Sequence, residues 1–419
     1  MISGKTSYGL QYAVRKSSSA VGYCALSIKC GTRDEAGFHS GIAHFLEHTI
    51  FKGTAKRKAS AINSYLDSLG GELNAFTTKE EIVFHATVLK EDLGKAASLL
   101  FELATCPTFP EHEIEIEKGV VMDEIHSYKD SPSEDIFDKF EELLFADHPL
   151  SGNILGTPAS VKKITRDELI KFVSEKFIPC KMAFTVVADI DEKKLEKSVL
   201  KLADKFFAGY TPACPSASDC LTRPVPCGDY RAPEAVTFDK TLNKRNHQAN
   251  CVIGGLAPSL YQERERLAAV LLCNILGGPA NNSILNATLR EKHGWVYSVE
   301  CGYTQFSDTG MVTISLGCDK SNLDKCVQAV YKEIAKLQEK TLSDRKLKAA
   351  KKQLLGQLAI SSDNNENQCL SMGKALLAFG KIDSSKENRT KVDGITADEV
   401  RQMAVKMFDL SKLSKLVYI

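Results

Sequence analysis

The chain has 419 residues, more than one hydrophobic core usually organises, so two domains are expected. With 43% apolar and 26% charged residues it has the composition of an ordinary globular protein, and a net charge of +1 gives no electrostatic reason to expect nucleic acid or an anionic membrane as partner. No apolar run approaches the roughly 18 residues of a membrane span, and thirteen cysteines without a C-x-x-C pair argue against a disulfide framework or a cysteine zinc knuckle.

Taken in chain order, the N-terminus, Met1 to Tyr8, lacks the basic-then-apolar layout of a signal peptide; with reduced thiols this points to a cytoplasmic setting. The first element of the repeat described below is a strand from Val21 to Cys30, on which Cys24 and Cys30 read as core residues. The segment Gly37-Phe38-His39-Ser40-Gly41 has the spacing G-x-x-S-G, which does not suit a nucleophile elbow, so a serine hydrolase is not expected. A helix from His39 to Phe51 follows and carries His44-Phe45-Leu46-Glu47-His48, an H-x-x-E-H pattern. Positions i and i+4 share a helix face, so His44 and His48 project side by side with Glu47 close by. Two neutral imidazoles at this spacing suit a zinc ion, and the carboxylate between them can take a proton from water held there. The five residues alone also fit two surface histidines beside a solvated glutamate.

Paired strands, Asn74 to Thr77 and Ile82 to Val88, come next. Glu111 to Ile125 then reads as an acidic helix on which Glu117 and Glu124 share a face, able to offer a carboxylate but equally readable as a solvated surface. His39, His85, His126 and His148 read as structural histidines. Ile164 to Leu169 opens a helix with a T-x-x-E capping box, the helix ends at Phe177, and a strand runs from Phe184 to Ala188. Pro212, Pro215, Pro224, Pro226 and Pro233 then mark an interdomain linker.

Beyond it the pattern repeats: strand Asn250 to Leu256, helix Gln262 to Leu276 with Gly277-Gly278-Pro279 as its stop, strands Val296 to Tyr303 and Gly310 to Gly317, a second T-x-x-E box at Thr396, a helix end at Phe408 and a strand from Leu413 to Tyr418. The expected fold class is α+β, with two homologous domains, each a mostly antiparallel sheet covered by helices. The boundaries expected are 1–207, a linker over 208–232, and 233–419. At the repeat register His44, Glu47 and His48 correspond to Leu271, Asn274 and Ile275, and Glu124 falls near Leu355, so the second half carries the scaffold without metal ligands.

His44 to Thr54, His-Phe-Leu-Glu-His-Thr-Ile-Phe-Lys-Gly-Thr, resembles the zinc motif of the pitrilysin/insulin-degrading enzyme family of metallopeptidases, in the branch of the mitochondrial processing peptidase and its short bacterial relatives. The resemblance extends over nearly the whole chain. In that family the third ligand is the second glutamate of an E-x6-E pattern, which Glu117 and Glu124 match. It therefore implies His44, His48 and Glu124 as Zn2+ ligands, Glu47 as general base on zinc-bound water, and Glu117 as a supporting carboxylate. Gly70 to Thr77 resembles the family's active-site edge strand, with Asn74, Ala75 and Phe76 along the substrate. Leu289 to Ser298 resembles the segment whose Arg and Tyr, here Arg290 and Tyr297, bind substrate; spacing alone would make these a surface charge and a half-buried strand aromatic.

The function implied is a zinc endopeptidase cleaving peptides or small unfolded polypeptides. Relatives enclose substrate in a chamber of four such domains, so a homodimer is expected, with Arg290 and Tyr297 of one subunit serving the zinc of the other. The alternative is a non-catalytic structural or partner subunit of the same family. Such members lose the zinc motif or the Arg/Tyr pair, and this chain retains both.

Overall fold

The computed structural model, which describes residues 1–210, 233–234 and 236–419, sorts its strands into two sheets. The expected linker falls almost wholly outside the described residues. The first sheet contains β1 (Ile2–Lys5), β2 (Gln11–Lys16), β3 (Val21–Ile28), β4 (Glu72–Thr77), β5 (Ile82–Leu89) and β6 (Met182–Ala188), in the order β1-β2-β6-β3-β5-β4. The second contains β7 (Asp239–Leu242), β8 (Ala249–Ala257), β9 (Val296–Gln305), β10 (Gly310–Cys318) and β11 (Ser414–Tyr418), in the order β7-β11-β8-β10-β9. All pairings are antiparallel except β2 with β6 and β7 with β11. Without β1, the first sheet has the strand order of the second. The repeat read from the sequence is a repeat of topology, and the α+β class with two mostly antiparallel sheets is the observed one.

Burial explains which strands are apolar throughout and which alternate. Every residue of β6 is buried, because the sheet is covered on both faces. One face packs on helices Ile42–Ile50, Leu93–Thr105 and Glu192–Phe207, whose apolar stripes make a core with Leu26, Phe84 and Phe184. The other face takes Cys369, Met372 and Leu376 of helix Asn365–Phe379 against Ala13, Ala25 and Ala183. There the helix comes so close that a Cβ on Gly373 would lie 2.5 Å from Ser27 Oγ. At the edge, β4 alternates exposed and half-buried residues, as a strand with one free side does.

Contacts divide the chain into two compact units that are not contiguous in sequence. The first gathers Met1–Ile125, the stretch from Gly152 through the helix ending at Phe207, and Ile360–Ile382; the second contains His126–Ser151, the second sheet and Asp383–Ile419. Helix Pro132–Leu144 therefore packs on β8 and β11 in the second unit, burying Ile136, Phe140 and Leu144 beside Val252 and Leu416. Both T-x-x-E sites cap helices, with a difference. At Thr396 both halves of the box form. At Thr165 only the threonine half forms, since the Glu168 carboxylate accepts from the His39 backbone N–H at 2.7 Å.

Candidate metal centre

Helix Ile42–Ile50 is short and mostly sealed into the core: Ile42, Phe45, Leu46 and Ile50 are fully buried, leaving one face for His44, Glu47 and His48. Its N-cap, Gly41, has φ of 88° and offers no side chain to the free N–H groups of the first turn. Only glycine fits there, because a Cβ would lie 2.8 Å from Gly156 Cα. The caps come instead from Glu35, whose carboxylate accepts from Gly41 N–H at 2.9 Å and from Ala43 N–H at 3.0 Å. Burial pushes Glu35 up to about 8 against the pull of these two donors and of Lys79.

The acidic segment is a helix, Glu111–Lys129, and it is not a simple solvated face. Glu117 is 5% exposed and Glu124 is half-buried, while Ile116 and Val120 face outward. Glu124 Oε2 lies 3.3 Å from His48 Nε2 and 3.7 Å from His44 Nε2. Ligand atoms of the three residues all fall within 4.8 Å of one another. Glu124 Oε2 is buried without a hydrogen-bond partner, an arrangement that is costly unless something else satisfies it. Two donor atoms each about 2.0–2.2 Å from a tetrahedral zinc stand roughly 3.3–3.6 Å apart; the Glu124–His48 separation of 3.3 Å matches this and the Glu124–His44 separation of 3.7 Å lies just above it.

The surroundings suit the same chemistry. Burial, helped by neighbouring His48, pushes the His44 imidazole down to about 4, so near neutral pH it is the uncharged ring that binds metals. His48 Nδ1 faces Glu117 Oε2 at 3.1 Å, which directs Nε2 toward Glu124. Glu47 Oε2 accepts from Thr77 Oγ1 at 2.5 Å. Burial raises the Glu47 carboxyl above its ordinary value, opposed by the Thr77 hydrogen bond and by His48.

Thr77 ends β4, which among the described residues pairs only with β5, leaving its other edge open there. Asn74 and Phe76 are exposed along this strand and Ala75 is half-buried, opposite His85, Val83 and Phe84 respectively. The first unit thus brings together His44, Glu47, His48, Glu117 and Glu124 with the end of the edge strand. Arg290 and Tyr297 lie in the second unit. Arg290 is exposed on the helical turn Asn286–Lys292; Tyr297, on β9, is 55% exposed and its hydroxyl donates to Asp319 Oδ1 at 2.8 Å. Of the four histidines expected to be structural, His39 sits on Glu168, His85 on Glu366 and His148 near Asp308, while His126 is exposed. Three participants escaped sequence reasoning. Glu35 and Lys52, whose Nζ pairs with Glu117 Oε1, had no periodic signal, and Thr77 stood within a recognised strand without any sign of its bond to Glu47.

Comparisons with known proteins point to one family. The family described as Insulinase (Peptidase family M16) matches residues 12–158, and that described as Peptidase M16 inactive domain matches residues 163–354. The chain is similar to an uncharacterized zinc protease of Streptomyces coelicolor, 29% identical over 374 residues, which are 89% of this chain and 80% of that one. An uncharacterized zinc protease of Bacillus subtilis is 28% identical over 381 residues, 91% of this chain and 89% of its own. The crystal structure of a protease from Helicobacter pylori shares the fold with a TM-score of 0.86 at 19% identity, covering 100% of this chain and 98% of that one.

Proposed function

The chain belongs to peptidase family M16, and from that membership we propose a zinc-dependent endopeptidase acting on peptides or small unfolded polypeptides. The observation that carries this reading is the convergence of His44, His48 and Glu124 donor atoms beside the half-buried Glu47 carboxylate. His44, His48 and Glu124 would hold zinc, which when bound supplies Lewis acidity toward water and the scissile carbonyl. Glu47 takes the proton from the attacking water and passes it to the leaving amine, and its raised pKa brings these two transfers closer to balance. Thr77 fixes which carboxylate oxygen is engaged, and Glu117 holds the His48 ring. The open edge of β4, through Asn74, Ala75 and Phe76, pairs with an extended substrate backbone, which binds many sequences without reading side chains.

The test is metal content together with cleavage of unstructured peptides by the purified chain, before and after chelation. One zinc per chain and chelator-sensitive cleavage reversed by zinc are expected. Cleavage indifferent to chelation overturns the metal mechanism, and bound zinc without cleavage of any peptide favours the non-catalytic partner-subunit reading.

The working form proposed is a homodimer in the cytoplasm, the compartment resting on cysteine usage: ten described cysteines are free thiols. Among the described residues no helix is long and apolar enough to cross a membrane. Arg290 and Tyr297 are proposed to contact the substrate backbone or the developing oxyanion in the partner's site. Mixing Glu47→Gln with Arg290→Ala protein then restores one whole site per mixed dimer. Recovery of activity on subunit exchange is expected; exchange without recovery removes the trans arrangement.

A further inference from the structure

The motif helix ends at Ile50, and two residues later Lys52 turns back toward it, its backbone N–H donating to Thr49 C=O at 3.1 Å. From there Lys52 Nζ reaches Glu117 Oε1 at 2.6 Å, while the other oxygen of the same carboxylate meets His48 Nδ1 at 3.1 Å. The two oxygens of Glu117 are therefore divided between a lysine and a histidine. Its side chain is only 6% exposed, against 24% for Lys52 and 22% for His48, so water has little access to replace a lost partner. A buried carboxylate deprived of one of two charged or polar partners rotates or draws in solvent to recover it. Such a rotation would release the His48 ring, whose Nε2 now stands 3.3 Å from Glu124 Oε2. The lysine also sits at the C-terminal end of the helix, where the helix dipole favours a cation.

We infer that Lys52 is a positioning residue for the metal centre, acting through Glu117 to hold His48 in its ligating orientation. The inference rests on the metal reading given above. A purely structural ion pair joining two helices would have the same contacts, but the two roles separate in measurement. As a fastener, Lys52 would affect the stability of the metal-free protein and leave zinc affinity alone. As a positioning residue it changes affinity, and only while Glu117 is present.

The experiment is a double-mutant cycle on the full chain, with Lys52→Met, Glu117→Gln and both together, reading the zinc dissociation constant by competition with a fluorescent chelator and the melting temperature of each apo form. Lys52→Met is expected to weaken zinc binding about tenfold to a hundredfold, the usual range for residues that orient metal ligands. Lys52→Arg should restore most of the affinity, since a cation again faces Glu117. In the Glu117→Gln background the lysine change should have almost no further effect. Wild-type affinity in Lys52→Met, or an equal loss with and without Glu117, overturns the inference while leaving the metal site intact. If Lys52→Met does not fold, Lys52→Arg and Lys52→Gln carry the same comparison, and equal zinc affinity in these two overturns it. A wild-type chain that binds no zinc overturns the metal reading itself and this inference with it.

Discussion

Between β3 and β4 the first unit commits His44 to a site that is 7% exposed, whereas between β8 and β9 the second unit places Leu271 at the corresponding position, fully buried in its core. The next two positions of the motif, Glu47 and His48, correspond to Asn274 and Ile275. These two line a cleft of about 280 Å³ with Asn282, Ser283, Ile284 and Gln353, among which no acid or histidine appears. Both halves nevertheless have the same strand order around their common helix. The second half thus fills this helix position with an apolar core side chain, and the proposed metal site puts an imidazole in the same slot. The strain is visible: His44 Nδ1 is buried without a hydrogen-bond partner, and burial pushes the ring down to about 4. In the proposed reading, function is carried by side chains placed on a scaffold that does not need them.

The largest effect expected from making the halves alike comes from His44→Leu. Zinc and peptidase activity should both disappear, while the metal-free protein becomes more stable. Relieving an unpartnered buried polar atom is worth about 1–3 kcal/mol, less any misfit of the leucine shape. Thermal unfolding of the apo proteins checks this, and a lower melting point for the variant would mean that the imidazole is satisfied in some other way.

Glu47→Gln, which gives the first half an amide where the second has Asn274, should keep zinc and fold but lose about two to four orders of magnitude in kcat. Near-normal turnover would move the base elsewhere, with Glu117 the alternative carboxylate to try. A step below it in size stands Thr77→Val, which removes the hydroxyl from Glu47 without changing side-chain volume much. Hydrogen bonds to charged groups are worth about 1.5–3 kcal/mol, so kcat should fall roughly tenfold to a hundredfold with KM little changed. A change confined to KM would instead tie Thr77 to substrate binding.

The smallest effect concerns the helix start. The register that pairs His44 with Leu271 pairs Glu35 with Gln262, whose Oε1 accepts from Ser259 N–H. Glu35 holds its proton up to about 8 in the folded chain, against an ordinary value of 4.5. Between those two pH values the native state binds this proton and the unfolded chain does not, so raising the pH through that window costs stability. Glu35→Gln should remove the slope, and its urea unfolding curves at about pH 5, 6.5 and 8 should drift apart less than those of the parent. Parallel drift in both proteins would assign the pH dependence to other groups.

Much of the fold was legible because it is locally encoded. Matching of the two halves placed β3, β5, β8 and β10 to within a residue or two, and the helix stops at Phe177, Gly278 and Phe408 are written in neighbouring residues. Within the site, the i and i+4 spacing of His44 and His48 is likewise a property of a few consecutive positions. Glu124 was different: residue physics offered only an acidic helix, and family resemblance singled out this carboxylate. The links from Lys52 to Glu117, from Thr77 to Glu47 and from Glu35 to the first turn of the motif helix join residues on different elements, which no local pattern encodes. The same is true of helices Pro132–Leu144 and Asn365–Phe379. An amphipathic stripe states that a helix has an apolar face to bury, but only tertiary packing decides which of two similar sheets receives it.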